Sequence, residues 1–358
     1  MNYEIKIFSK LEPELKKYWK NSESNSFGFC FQDYDWFENW FNHYRKNNKN
    51  FFSCIVVVFQ NSEICCVLPF EIRNIWKVKI LQWMGNKQID YNSPVLNKKF
   101  LTNEKEFSYL WKNIINALPK FDLIYLQKQP ENIDGVKNPF VTYLNNNKHS
   151  NVFLAILPKT WDEYSKTYLK KKFVSDNLRT KKLIKQLGSI KFKIANEEEQ
   201  KYKYLEEIIF QKNKKLSLQG LKNVFDENDL SFYKEFEIKK LTNIKTQIAA
   251  LILNEDIIAL SWGIIYKNRY YYLLPSMKIG IYERYSPGKL LISLLIKWSI
   301  SKKIRIFDFA LGQEEYKKKW SNNVDVLYNH LKSYSLIGFI FSLILNINLK
   351  MRKIFRKQ

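Results

Sequence analysis

The spacing of apolar and polar positions divides the chain into short strands and amphipathic helices, and the arrangement comes round twice. In the first half, Phe37, Trp40, Phe41 and Tyr44 fall on one helical face, with Asp33 or Asp35 placed to cap it. Two β-runs follow, Phe52–Phe59 and Glu63–Phe70, separated by the polar turn Gln60-Asn61-Ser62. Val78–Met84 predicts a third strand, closed by Gly85-Asn86. Over Glu104–Leu118 a helical period puts Phe107, Leu110, Trp111, Ile114, Ile115 and Leu118 on one side, and Phe121–Gln127 predicts a further strand. The polar stretch from Gln129 to Ser150, with Pro130, Asp134-Gly135 and Asn145-Asn146-Asn147, reads as a connection between domains.

The second half repeats the theme. Val152–Leu157 predicts a strand, and Thr160 with Glu163 forms a capping box that opens a helix. A strongly basic helix spans Lys170–Gly188, with Val174, Leu178, Leu183 and Leu187 as its apolar contacts and Gly188 as its stop. Helices over Glu197–Lys212 and Asp229–Leu241 lead to a three-stranded meander, Ile244–Leu253, Ile257–Tyr266 and Arg269–Pro275. Strands followed by crossover helices, given twice, predict an α/β protein with two similar mixed sheets flanked by helices.

The stretch from Tyr285 to Trp320 gathers the candidate chemistry. Ser286-Pro287-Gly288 stands directly before a helix whose buried face carries Leu290, Leu291, Leu294, Leu295 and Trp298. Such a turn leaves backbone N–H groups and the positive end of the helix dipole open to an anion. The short strand Ile304–Phe309 ends in Asp308, a carboxylate in an apolar run. Past Gly312, Glu314-Glu315-Tyr316 opens the next helix, where Tyr316 either packs with Trp320 or donates a proton as a phenol.

Composition narrows the class. The 358 residues suffice for two domains, and hydrophobic (46%) and aromatic (16%) contents exclude a disordered chain. A formal charge of +24 favours an acidic partner, although part of it accompanies a general enrichment in Lys, Asn and Ile. The four cysteines show no metal-ligand spacing and the histidines are three, so free thiols and no metal site are expected. The N-terminus has no apolar signal core, which predicts a cytoplasmic chain. No nucleophile elbow, P-loop or dinucleotide fingerprint occurs. After Asp325 there is no acidic residue; Leu336–Leu345 is apolar, Asn346 and Asn348 break it, and Lys350, Arg352, Lys353, Arg356 and Lys357 follow. The run is shorter than the about 20 residues a bilayer span needs. This tail lies either in an anionic membrane surface, at the inner face of the membrane, or back against the protein.

The segments YSPGKLL and FDFALGQEEYKKKW together resemble the pattern S-P-G-x-L-L … F-D-F-x-x-G-x-E-x-Y-K-x-x-W of a CelD-like bacterial branch of the GNAT superfamily, the cellulose-biosynthesis-type acetyltransferases. The basic segment KKFVSDNLRTKKLIKQLGSIKFKI is similar to that family's K-x-x-x-N-x-R-R-x-x-x-x-L, and FQDYDWFENWFNHY, LPFEIR and WMGNKQIDYNSPVL to its N-terminal half. The likeness implies tandem GNAT-like domains related to FemAB-type aminoacyl transferases. Residues 1–150 would form a domain without donor binding, 151–332 the acyltransferase domain and 333–358 a basic amphipathic tail. It also implies acetyl-CoA or another acyl-CoA as donor, with Arg284, Ser286, Pro287, Gly288, Lys289 and Leu290 at its pyrophosphate. Asp308, which either bonds a neighbouring backbone or holds the acceptor amine, and Tyr316 are the candidate catalytic residues; Asn177, Arg179 and Lys317 are the candidate acceptor contacts. The acceptor would be an amino group on a sugar nucleotide or lipid-linked glycan of envelope polysaccharide synthesis. Two departures stand out: Glu283 where Gln or Arg is usual, and Lys278 where relatives carry Asp. Rival readings are a FemAB-like transfer from aminoacyl-tRNA to a peptidoglycan precursor, and a membrane-associated scaffold with a decayed site.

Overall fold

The computed structural model describes residues 2–46, 48–85, 88–100, 103–221, 224–239 and 241–355, with side chains up to residue 347. The expected turn residue Asn86 and the tail's Arg356 and Lys357 lie outside the described residues, as do the side chains of Asn348, Lys350, Arg352 and Lys353. Two units form, Met1–Asn151 with Asp325–Gln358, and Val152–Val324.

The first unit begins with β1 (Tyr3–Phe8), α1 (Pro13–Glu23), β2 (Ser26–Phe27), α2 (Tyr34–Tyr44), β3 (Phe51–Gln60), β4 (Glu63–Ile75) and β5 (Val78–Trp83). It continues through β6 (Val95–Asn97), α3 (Glu104–Ala117), β7 (Leu123–Pro130), the small hairpin β8 (Asn132–Ile133) and β9 (Val136–Lys137), and α4 (Pro139–Thr142). The chain passes into the second unit along β10 (Asn146–Ile156) and continues with α5 (Trp161–Thr167), α6 (Lys171–Gln186), β11 (Ile190–Ile194), α7 (Glu198–Leu218), α8 (Glu227–Ile238), β12 (Ile244–Leu253), β13 (Asp256–Tyr266) and β14 (Arg269–Met277). It ends with α9 (Pro287–Ser301), β15 (Ile306–Asp308) and α10 (Glu315–Trp320). The chain then returns to the first unit through β16 (Asn323–Ser333) and α11 (Leu336–Phe355).

Each unit builds the same sheet. In the first, β1, β3, β4 and β5 are antiparallel neighbours, β7 lies parallel to β5, and β16 antiparallel to β7. In the second, β11, β12, β13 and β14 are antiparallel, β15 lies parallel to β14, and β10 antiparallel to β15. The expected pair of mixed sheets is therefore present. A parallel neighbour needs a crossover, which α3 supplies between β5 and β7 and α9 between β14 and β15. The period read over α3 is its packing face: Phe107, Leu110, Trp111 and Ile114 are buried against Val56, Leu68 and Phe70, and Asn103 caps the helix by accepting from the Glu106 N–H.

Several expectations change. The stretch from Gln129 to Ser150 is not a bare connection. Ile133 and Phe140 are buried, and fully buried Asn138 caps α4. The second unit ends at Val324, not Lys332, because β16 pairs with β7 of the first unit from Leu327 to Ser333. On α6 the expected contact Val174 packs on the core, but Leu178, Leu183 and Leu187 are exposed, and Phe173 and Ile184 face the core in their place. The strands β1, β11 and β16 and the helix α1 have no counterpart in the sequence reading.

Asn346 and Asn348 do not end the tail, which is a single helix from Leu336 to Phe355. Asparagine costs only a few tenths of a kcal/mol in a helix, and tertiary contacts outweigh that. Phe341 and Leu345 pack on Val78, Ile80, Leu123 and Tyr125, and Ser335 Oγ donates to Asp122 Oδ1 while accepting from the Gly338 N–H. Among the described residues no helix is long and apolar enough to cross a membrane. Gly338 is the close-approach point, since a Cβ there would stand 2.0 Å from the Asp122 carbonyl oxygen. Gly338→Ala should therefore cost about 1–3 kcal/mol locally. Limited proteolysis should cut α11 faster in that variant, and an unchanged cleavage rate would contradict this packing.

Candidate functional site

The second unit's sheet opens where β14 and β15 part. The two strands pair only from Arg269↔Ile306 to Tyr271↔Asp308, whereas β14 runs on to Met277. On the other side β14 stays paired with β13, with a register shift at Trp262/Gly263. The Lys278 N–H bonds the Ile258 carbonyl, so by alternation Pro275 and Met277 direct their backbone groups to the opened edge. Pro275 is tolerated there because an edge needs no donor from it. Met277 leaves an N–H.

Beyond this edge, α9 begins without a side-chain cap. Its N-cap, Ser286, has φ 48° and ψ 57°, a left-handed geometry from which its hydroxyl makes no capping bond, and Pro287 carries no N–H. In the same unit Thr160 caps α5 and Asp226 caps α8, whereas α6 and α7, like α9, begin without a side-chain cap. The open helix end thus keeps its partial positive charge for something outside the helix. Gly288 adds no bulk, and a Cβ on it would meet only Met277 Sδ, at 3.8 Å. Leu290 is buried and anchors the turn to the core.

Charged neighbours frame this end. The Lys289 ammonium sits over the Phe173 ring of α6 at 4.7 Å; burial holds its pKa below the usual lysine value, Asp176 opposing and Lys319 adding to the effect. Arg284 is exposed and stacks on Tyr285 at 4.8 Å. Glu283 folds onto its own turn, with a carboxylate oxygen 3.5 Å from the Gly280 N–H. Lys278 is bound locally as well. Its ammonium and the Tyr282 hydroxyl both reach Asp256, each at 2.6 Å. On α6, Asn177 Oδ1 is buried without a partner among the described residues, while Arg179 is exposed.

At the other wall, Asp308 has both oxygens engaged. Oδ1 accepts from the Ala310 N–H at 2.8 Å, and Oδ2 faces the Arg269 guanidinium at 3.3 Å, with Asp308 fully buried. That arrangement holds the turn after β15, where Ala310 has φ 54° and Gly312 φ 135°. Tyr316 packs edge-on to Phe309 at 6.5 Å, while Trp320 packs on Phe173 at 4.8 Å, so the two do not stack on each other. Burial, reinforced by Glu314, raises the Tyr316 pKa, so the phenol is protonated at neutral pH. Its hydroxyl bonds no described residue. Lys317 is buried and donates to the Leu311 carbonyl at 2.8 Å, with Glu314 at 3.0 Å. It closes the Gly312 turn.

Lys212, on α7, was missed by the sequence reading. Its ammonium donates to the Pro275 carbonyl at 3.3 Å, on the opened edge of β14, and lies over Phe225 at 5.2 Å. Burial pushes its pKa down to about 8, with Lys215 and Lys317 adding to the effect and Glu314 opposing it. Ser276 Oγ on the same strand is buried without a partner among the described residues. Lysine in a helix rich in lysine gives no signal in sequence; Pro275 inside an apparent central strand could have marked the edge it serves. Among the described residues no cluster of His, Cys, Asp and Glu could hold a metal ion.

Residues 172–318 match the family profile described as Acetyltransferase (GNAT) domain. No curated protein matches the sequence. Among solved structures, FemX is similar with a TM-score of 0.60 at 9% identity, over 93% of this chain and 98% of FemX. A conserved protein of unknown function from Bacteroides thetaiotaomicron VPI-5482 gives 0.56 at 9% identity, over 93% and 100% of the two chains. A tandem GNAT protein from the clavulanic acid biosynthesis pathway gives 0.52 at 7%, over 93% and 98%. Identities this low show a shared fold alone, and that fold is the tandem mixed-sheet architecture described above. The second unit accordingly carries a GNAT-type acetyltransferase domain, and the chain is an acyltransferase.

Proposed function

We propose that the second unit transfers an acyl group from an acyl-CoA to an amine, and that the chain belongs to the CelD-like branch of these enzymes. The observation that carries this reading is the uncapped N-terminus of α9 beside the unpaired edge of β14. The first suits a pyrophosphate and the second an extended amide-bearing arm that completes the sheet. Acyl-CoA supplies the acyl group as a thioester. The chain's own groups do the rest. The backbone N–H of Gly288 at the open helix end, with the Lys289 and Arg284 cations, holds the phosphates. The Met277 N–H orients the arm. Lys212, neutral in part near its pKa of about 8, takes a proton from the acceptor's ammonium so that the free amine attacks the thioester carbonyl, and as the C–S bond breaks Tyr316 gives a proton to the leaving thiolate.

The amine belongs, in this reading, to a sugar nucleotide or lipid-linked glycan intermediate of envelope polysaccharide synthesis, as the family likeness suggests. A decayed site is disfavoured by the two residues that suggested it: Lys278 and Glu283 each have a local partner. The tail fits an anionic membrane surface. Leu336, Phe339, Ile340, Leu343 and Ile347 are exposed along α11, and only basic charges follow.

Acetyl-CoA should bind the wild-type chain in calorimetric titration, and Gly288→Trp should abolish binding with the circular dichroism unchanged, because a Cβ at this position meets only Met277 Sδ. Retained affinity would remove the turn from the donor site; no binding by the wild type would point to aminoacyl-tRNA as donor. With an amine acceptor, kcat/KM should rise with pH through about 8. Lys212→Arg should lower it about 10²-fold at neutral pH while leaving acetyl-CoA affinity intact; an undiminished rate would exclude Lys212 as the base. Phe339→Ser with Leu343→Ser should weaken sedimentation with anionic phospholipid vesicles, and equal sedimentation would leave the tail without a membrane role.

A further inference from the structure

The first unit repeats the parting of strands. β5 and β7 pair only at Ile80↔Leu123 and Leu81↔Ile124, the same place in the sheet order at which β14 and β15 separate. A cavity of about 660 Å³ opens here, within the size range of small-molecule sites. The segment that follows β5 differs in kind from the one after β14. Its described residues between 84 and 94 form no helix, so the chemistry of an open helix end has no counterpart.

Charge is supplied by side chains instead. The Arg45 guanidinium is fixed between the rings of Phe51 and Trp40, 3.8 and 4.7 Å from their centroids. It is neutralised by fully buried Glu71, whose oxygens lie 2.7 and 3.2 Å from Nε and Nη2, and Gln82 donates to the same carboxylate. Arg73, exposed at the cavity, makes no ion pair or side-chain hydrogen bond with a described residue. Lys128 is held in the left-handed region at φ 55°, its N–H bonded to Asn329 Oδ1, its carbonyl to the Asn92 N–H, and its ammonium donating to the Ile89 carbonyl at 2.7 Å. Strained backbone clamped from both sides beside a cavity is how a site keeps a side chain in place. No aspartate or glutamate is among the described lining residues, but Glu71 balances Arg45 and Asp90 acts on Lys128, so the Arg73 guanidinium is the charge the cavity offers to an anion.

The remaining lining is amide and aromatic. Gln127 lines the cavity and makes no side-chain hydrogen bond to a described residue, and Asn48, Asn50 and Asn74 share the wall. An amide donates and accepts at once, which suits neighbouring hydroxyl groups. Phe51, Trp83 and Tyr125 add apolar surface of the kind that packs on a sugar ring. The volume exceeds what a bare inorganic anion needs.

We propose that the first unit's cavity binds a sugar bearing a negative charge, as phosphate or carboxylate, with Arg73 on the anion and Gln127 with its asparagine neighbours on the hydroxyls. This site is separate from the acyl-transfer reading and does not rest on it. Saturation-transfer NMR on the full chain, with glucose 1-phosphate, glucuronate, glucose and inorganic phosphate as probes, tests it. At least one of the two anionic sugars should bind, more tightly than both glucose and phosphate, and the tighter of the two identifies the anion. Arg73→Ala, at an exposed position, should weaken that binding about tenfold, and Gln127→Leu severalfold, with acetyl-CoA affinity unchanged in both. Binding of neither anionic sugar, equal binding of glucose, or equal binding of inorganic phosphate would each overturn the proposal. So would an Arg73→Ala variant that loses acetyl-CoA instead.

Discussion

β14 and β15 share parallel hydrogen bonds from Arg269 to Tyr271 and then separate, and the chemistry of the second unit depends on that separation. A backbone edge left open inside a sheet must find partners, because unpaired N–H and C=O groups away from water are costly. The protein meets part of the requirement itself. Lys212 covers the Pro275 carbonyl, and Pro275 has no N–H to satisfy. Asp308, Arg269 and the left-handed Ala310 end β15 at the point of parting, so the opening is fixed by a buried ion pair and a turn rather than by loose chain. Around it stand the start of α9, Lys212 on α7 and Tyr316 on α10. All three follow from where a short strand stops.

The same sheet order serves different electrostatics in the two units. In the second, the field at the opening comes from a helix end and its backbone donors, which favours a compact, highly charged group. In the first it comes from the Arg73 guanidinium among amides, with the Arg45–Glu71 pair as a rigid and neutral floor. A buried pair of that kind adds little net stability, since desolving two charges offsets most of their attraction. Its contribution is geometric. It fixes Phe51 and Gln82 where they border the cavity.

Much of the fold was legible because its longest elements carry strong periods. The α3 face, the β12–β13–β14 meander and the turn before α9 stand where the apolar spacing and the residues Ser286, Pro287 and Gly288 put them. The illegible parts have physical reasons. β11 is a short edge strand, IKFKI, that alternates with lysines and follows a basic helix without a break in composition. On α6, leucines that look like a buried face are exposed, because Phe173 and Ile184 take the contacts that the period offered to Leu178 and Leu183. In the candidate site, the donor-facing turn is local and therefore visible. Lys212 comes to Pro275 from 63 residues away, a contact that no spacing rule reports. The first unit's cavity is likewise assembled from the segment after α2 and from β3, β4, β5 and β7, and only the folded sheet brings these together.

The strand that finishes the first sheet, β16, lies beyond the whole of the second unit in sequence. During synthesis β7 must therefore wait, its far edge bare, while the ribosome adds nearly two hundred residues. An unpaired edge held open that long invites pairing with other chains. The vector of translation thus makes the second unit the one able to fold first, and the unit at the N-terminus the last to close. A fragment cut at the boundary near residue 151 would keep that edge exposed permanently.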